Sequence, residues 1–442
     1  MSTLISARWL ITANAGGVVT IANGACLVDA DGTIAGVGRS DDLMAANHIS
    51  HRVELPDHLI APGLVNAHCH AAMSLLRGAA DDLPLQRWLT ERIWPMEGAL
   101  LDEHFVRIGT QLAAAEMLLG GTTTCADMYF YSKAAGQAFL GLGQRAVLAL
   151  PVIDFPTRYA ADVDAYISTG LSVRDEFSDE PMLSFALAPH APYTAADATF
   201  QRVLAFANEL GIPVHTHLQE TAQEVVDALA QTGERPTARL ARLGVLGPDF
   251  FAAHGVHLNG DDIATLARYG SSVVHCPSSN LKLASGLAPV ADMLTAGVNV
   301  GLGTDGAASN NRLDMFEEMR LAALIGKVQA NDASAITAAQ AFTMATLGGA
   351  RAVGLGSVTG SLEIGKAADI IAVRLDTPGM LPLFDPVSHF VYAASRADVN
   401  HVWVAGQPRV SAGNLVGPGA RTVAELAPQI ATLAERVNAL RT

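Results

Sequence analysis

Short, β-branched apolar runs alternate with longer amphipathic stretches through the middle of this chain, and that alternation restricts the architectures open to it. The runs are Leu64 to His70, Thr122 to Met128, Ala146 to Ile153, Leu183 to Pro189, Pro213 to Leu218, Phe250 to His254, Ser272 to Cys276 and Val298 to Gly303. Between most of them lie Ala/Leu/Glu-rich segments such as Leu101 to Leu119, Asp197 to Leu210 and Asp261 to Tyr269, with apolar residues recurring at helical spacing. Eight such units predict an α/β fold, a (β/α)8 TIM-type barrel over residues 62–359. The flanks instead show alternating segments with turn signals, at Asn23-Gly24, at Ala30-Asp31-Gly32, and around Asp369 to Arg374 and His401 to Ala405. They predict a small β-sandwich domain built from both chain ends, residues 1–61 and 360–442, closed by a final helix from about Thr422 to Leu440.

Barrel active sites lie at the C-terminal ends of the strands, and the chemistry-bearing residues of this chain gather there. His68 and His70 end the first run, and side chains at i and i+2 of a strand share a face, so two imidazoles aim at one point while Cys69 turns away. His217 ends the fifth run, Asp305 follows the eighth, and His190 and His254 fall at or just past other strand ends. Zinc accepts imidazole nitrogen and carboxylate oxygen, and a catalytic site must leave a position for water. Three histidines and an aspartate meet that need, and a metal so placed lowers the pKa of water from about 15.7 towards 7. His215 has the same parity as His217, so spacing alone leaves the third histidine open between them. Glu220, just beyond that strand's end, is placed to shuttle a proton.

Composition narrows the partners. Lys plus Arg number 28 against 43 Asp plus Glu, and a net charge of -15 repels a phosphate backbone, so nucleic acid is not expected. No run approaches the roughly 18 apolar residues of a membrane helix. The N-terminus lacks the basic and long apolar regions of a secretory signal, so a cytoplasmic protein is expected. Four scattered cysteines without a CxxC pair argue against a disulfide framework and a structural zinc module. The barrel exterior is compatible with a homo-oligomer, although no interface is marked.

The segments Pro62-Gly63-Leu64-Val65-Asn66-Ala67-His68-Cys69-His70, His217-Leu218-Gln219-Glu220, Ala253-His254-Gly255-Val256-His257, His275-Cys276-Pro277-Ser278-Ser279-Asn280 and Gly303-Thr304-Asp305-Gly306 together resemble the amidohydrolase superfamily. Within it the chain is most similar to the 5-methylthioadenosine/S-adenosylhomocysteine deaminases, over nearly its whole length, including Glu363 to Asp369. The resemblance implies hydrolytic deamination of adenine nucleosides at purine C6. It gives His68, His70, His217 and Asp305 as ligands to one divalent ion, most simply Zn2+, with His217 preferred because Glu220 then takes the family spacing. The matching glutamate protonates a purine ring nitrogen while hydroxide attacks C6, and the residues matching His254 and Asp305 handle the water proton. Binuclear members carry a carboxylated lysine on a middle strand; the corresponding runs here contain none, which implies a single metal. Glu97 matches the residue that grips ribose hydroxyls, His190 a purine-contacting histidine, and Arg158 an arginine able to meet a homocysteinyl carboxylate. Arg145 is the nearest candidate for a second arginine.

Other readings compete with this one. The same site could serve guanine, a triazine or another heteroaromatic amine, which would give Glu97 no ribose to hold. A metal-free scaffold could retain the barrel without the chemistry. Gly301 to Gly306 satisfies GxGxxG, but Asp305 would face a pyrophosphate and no helix is expected directly after it, so dinucleotide binding is set aside.

Overall fold

The computed structural model describes residues 2–417, 420 and 422–441. Among the described residues, eight parallel strands form one sheet in chain order: Leu64–Cys69, Thr122–Met128, Arg145–Val152, Leu183–Pro189, Val214–Leu218, Phe250–His254, Ser272–His275 and Asn299–Leu302. Nearly every residue of these strands is buried, because lumen side chains fill one face and helices cover the other. The first and last strands close the barrel through loop atoms: the Asp305 N–H donates to the His68 carbonyl at 3.0 Å, and the Thr304 N–H to Asn66 Oδ1 at 3.0 Å. Glycine is required at 303 for this approach, since a Cβ there would lie 2.8 Å from the His68 carbonyl oxygen.

Helix starts follow from local chemistry. Asp102 accepts the Phe105 N–H and opens helix Glu103–Leu119, while Asn259 and Asp262 form a reciprocal capping box at Gly260–Tyr269. Helix Asp197–Leu210 ends at Gly211 in the left-handed conformation. None of the described helices is long and apolar enough to cross a membrane.

The chain ends build a continuous mixed sheet, nine-stranded among the described residues. Strand His51–Pro62 runs at its centre, parallel to Thr3–Asn14 and antiparallel to Ile370–Arg374. The sheet curls until its edge strand Ile34–Arg39 meets the segment leading into Ile370–Arg374: the Ile34 N–H donates to the Lys366 carbonyl and the Ala368 N–H to the Gly32 carbonyl, and Ile34, Cys26, Ile60, Ile370 and Trp403 share one buried cluster. The sandwich is thus one sheet closed over its own core. Its final helix behaves otherwise than expected. Thr422–Asn438 packs on barrel helix Glu103–Leu119 and the turn Ala71–Leu76, burying Leu426, Leu433 and Val437 there, and so covers the barrel instead of closing the sheet.

Candidate metal centre and cavity

Four side chains, from the ends of two strands and the loop after the eighth, converge at the C-terminal mouth of the barrel. Donor atoms of His68, His70 and Asp305 all lie within 4.8 Å of one another, as do those of His68, His217 and His254. Asp305 Oδ1 stands 3.5 Å from His68 Nε2 and 3.2 Å from His70 Nε2, and His217 Nε2 is 3.4 Å from His70 Nε2. All of these side chains are buried or nearly so.

The hydrogen bonds on the far side of each ring decide which nitrogen carries a proton. His70 Nδ1 lies 2.6 Å from the Met128 carbonyl and His217 Nδ1 2.7 Å from the His190 carbonyl. A carbonyl only accepts, so each Nδ1 is the N–H and each neutral ring presents its Nε2 lone pair to the centre. His68 Nδ1 is 2.8 Å from His215 Nε2, and its own Nε2 is buried without a hydrogen-bond partner. A buried nitrogen left without a partner costs about 1–3 kcal/mol, so this unpaired atom, flanked by two Nε2 lone pairs and a carboxylate, is what a bound divalent cation would satisfy. The donor set fits zinc.

Asp305 is held at every other lone pair. Its Oδ2 accepts the hydroxyls of Ser279 and Ser309, each at 2.6 Å, and Oδ1 accepts the Gly306 N–H at 2.8 Å. Both Asp305 (φ 60) and His254 (φ 75) sit in the left-handed region that non-glycine residues avoid, so the surrounding bonds fix strained backbone at these two positions. A short helix, Ala307–Asn310, does follow Asp305, contrary to expectation, and it delivers Ser309.

Glu220 and His254 stand beside the ligand set. Glu220 Oε2 is 3.7 Å from His254 Nε2, while Oε1 is buried with no partner. His254 Nδ1 lies 2.9 Å from Asn280 Oδ1. Glu224 accepts the backbone N–H groups of Gln219 and Glu220, each at 2.9 Å, which fixes the loop that aims Glu220. Burial raises the Glu220 carboxyl above its ordinary value, with His254 opposing.

These residues floor a cavity of about 260 Å³ whose walls are largely apolar, with Trp88, Trp94, Phe130 and Phe155 among them. Glu97, Arg158 and His190 also line it. Tyr129 donates to Glu97 Oε1 at 2.6 Å, and burial pushes the Glu97 carboxyl up to about 7 against the lowering effect of that bond. Arg158 Nη1 donates to the carbonyls of Gly98 and Ala99, at the C-terminal end of helix Trp94–Leu100. Arg145 is not part of this site. It opens strand Arg145–Val152, at the opposite end of the barrel, and its guanidinium is committed to the buried Asp369 carboxylate at 3.0 and 3.3 Å.

Several contributing residues were not given roles from sequence: His215, Asn280, Ser279, Ser309 and Tyr129. His215 was marked by parity, and Ser279 and Asn280 by their place just past a strand end. Tyr129 follows strand Thr122–Met128 directly and carried the same positional signal.

The amidohydrolase family model matches residues 59–409. A 5-methylthioadenosine/S-adenosylhomocysteine deaminase of Teredinibacter turnerae is 48% identical over 86% of this chain and 86% of its own length. One of Halobacterium salinarum is 45% identical over 89% and 91%. The crystal structure of an adenosine deaminase from Xanthomonas campestris with bound zinc superposes with a TM-score of 0.96 at 44% identity, over 99% of this chain and 98% of that one. The zinc complex of atrazine chlorohydrolase from Arthrobacter aurescens gives 0.89 at 26% identity, over 97% and 100%. With its barrel, its strand-end cluster of histidines and aspartate and these likenesses over most of its length, the chain belongs to the amidohydrolase family.

Proposed function

We propose that this protein deaminates adenine nucleosides hydrolytically at purine C6, converting 5'-methylthioadenosine, S-adenosylhomocysteine or adenosine to the inosine counterpart and ammonia. The observation that carries the proposal is the juxtaposition of a buried carboxyl with an unpaired oxygen, Glu220, with the histidine and aspartate cluster on the floor of a mostly apolar cavity that has Glu97 in its wall. The names of the relatives support the substrate class.

His68, His70, His217 and Asp305 would hold one divalent ion, zinc by the nature of the donors, and such an ion supplies Lewis-acid activation of water at neutral pH. Glu220 supplies the proton. With its carboxyl raised by burial and Oε1 unpaired, it can donate to a ring nitrogen as the water oxygen adds to C6; the proton that water gives up to His254 or Asp305 goes to the departing amine as the C–N bond breaks, and the second water proton, lost as the C6 carbonyl forms, restores Glu220. His254 Nε2 faces the same point, and its Nδ1–H donates to Asn280 Oδ1, so Nε2 is free to accept a proton from the attacking water. His190 lies at the purine edge. Glu97, once ionised and oriented by Tyr129, accepts two hydroxyls of a vicinal diol.

The largely apolar cavity wall favours an apolar substituent at the 5' position. A homocysteinyl carboxylate would meet Arg158 alone, with Arg145 engaged elsewhere, so methylthioadenosine and adenosine rank ahead of S-adenosylhomocysteine. Guanine or a triazine would leave Glu97 and Tyr129 without a ribose partner.

The test offers zinc-loaded protein methylthioadenosine, adenosine, S-adenosylhomocysteine, adenine and guanine in parallel, following absorbance and ammonia. Nucleosides should react, and Glu220→Gln should lose about 10²-fold or more in kcat while keeping its zinc. Silence on every adenine nucleoside with zinc bound overturns the proposal.

A further inference from the structure

We infer that His215 is a positioning residue for the metal centre: through a two-step hydrogen-bond chain it fixes the tautomer of His68 so that the His68 Nε2 lone pair is always presented to the ion. The inference rests on the metal centre described above. His215 and His217 share a face of strand Val214–Leu218, so both point into the lumen, but His215 lies one layer deeper. It is wholly buried and stacked on Phe251, with ring centroids 4.1 Å apart and planes 12° from parallel.

The chain of bonds has one consistent proton arrangement. His215 Nδ1 lies 3.0 Å from the Phe251 carbonyl, which has no proton to give, so Nδ1 is the N–H. His215 Nε2 lies 2.8 Å from His68 Nδ1, and one of those two nitrogens must accept. If His215 donated, it would be a doubly protonated cation, fully buried with only two neutral acceptors, the Phe251 carbonyl and His68 Nδ1, which desolvation disfavours strongly. His215 Nε2 is therefore the acceptor, His68 Nδ1 carries the proton, and His68 Nε2 is left unprotonated. That atom is the one found buried without a partner at the centre. His70 and His217 obtain the same result from carbonyls directly. His68 is the exception, because its Nδ1 faces the lumen, where no backbone carbonyl bonds it and a side-chain acceptor does.

Removing the acceptor should free the ring of His68 to rotate and to take the Nε2–H tautomer, which cannot bind a metal. Partners of this kind typically contribute about 10–100-fold in metal affinity. The experiment measures zinc affinity by chelator competition on the full chain, for wild type, His215→Phe and His215→Gln, with thermal melts of each metal-free protein. Phe preserves the stack and removes the acceptor; Gln keeps an acceptor oxygen. A loss of at least about tenfold in His215→Phe, largely restored in His215→Gln at similar melting temperatures, is expected. Equal zinc affinity in wild type and His215→Phe overturns this inference alone. A wild-type protein that takes up no zinc overturns the metal centre itself and the inference with it. Should His215→Phe fail to fold, histidine-selective 15N spectra of the wild type decide. Nδ1–H tautomers at both His68 and His215 are expected, and an Nε2–H tautomer at either refutes the chain.

Discussion

Replacing Arg145 by methionine separates two roles for one arginine. At the site described here it makes a bidentate pair with Asp369, whose other bonds come from the Thr359 hydroxyl and the Ala405 N–H, each at 2.7 Å. Both side chains of the pair are almost completely buried, at 5% and 0% exposure, so solvent screens it little. The pair joins the base of the barrel to the terminal sheet, because Arg145 opens a barrel strand and Asp369 immediately precedes strand Ile370–Arg374. Arg145→Met leaves a buried carboxylate without its cation, a change that typically costs about 3–5 kcal/mol. With an unfolding entropy of roughly 2.1 cal/mol/K per residue, the 442-residue chain loses about 1 °C per kcal/mol, which puts the fall in Tm at about 3–5 °C. Scanning calorimetry at a fixed rate measures it, and steady-state kinetics with methylthioadenosine and S-adenosylhomocysteine completes the assay. Unchanged kcat and KM for both, below the melting range, are expected. An unchanged Tm with a selective rise in KM for S-adenosylhomocysteine would refute the structural assignment and return Arg145 to the substrate.

Two pH effects follow from buried carboxyls. Glu97, raised to about 7 by burial, gains a second full acceptor when it ionises, so KM for nucleosides should fall as pH rises through 7, and Glu97→Gln should abolish that dependence while raising KM. Glu318 is raised to about 8 chiefly by burial, with bonds from Ser278 and Asn310 opposing. Its folded value exceeds its unfolded one, so the native state holds more protons between about 4.5 and 8 and loses stability as pH rises across that window. Denaturant melts at pH 5 and pH 8.5 should show a smaller decline in Glu318→Gln than in wild type, and an equal decline would contradict the assignment.

The barrel was legible because its signal is local: a parallel strand covered on both faces reads as a short β-branched run, and eight of them came out within a residue or two of their observed limits. The proposed ligands could be picked out for a related reason, since position at the C-terminal end of a strand is itself sequence information. Applied evenly, that rule also excludes Arg145, which precedes its run instead of following it; the bond that holds it, to Asp369, spans 224 positions and leaves no local trace. The last helix fails in the same way. An amphipathic pattern shows that Thr422–Asn438 has an apolar face, but the surface that takes it is decided by shape, and the stripe carrying Leu426, Leu433 and Val437 fits the barrel helix Glu103–Leu119. His215 marks the boundary between the two kinds of knowledge. Parity puts its ring in the lumen, yet only the closed barrel sets strand Val214–Leu218 across from Leu64–Cys69 so that His215 meets His68. The residues that bind are thus written into strand ends, while those that orient them depend on which strands face each other. Orienting groups such as His215, Ser279 and Ser309 therefore emerge only when the ring of strands is complete.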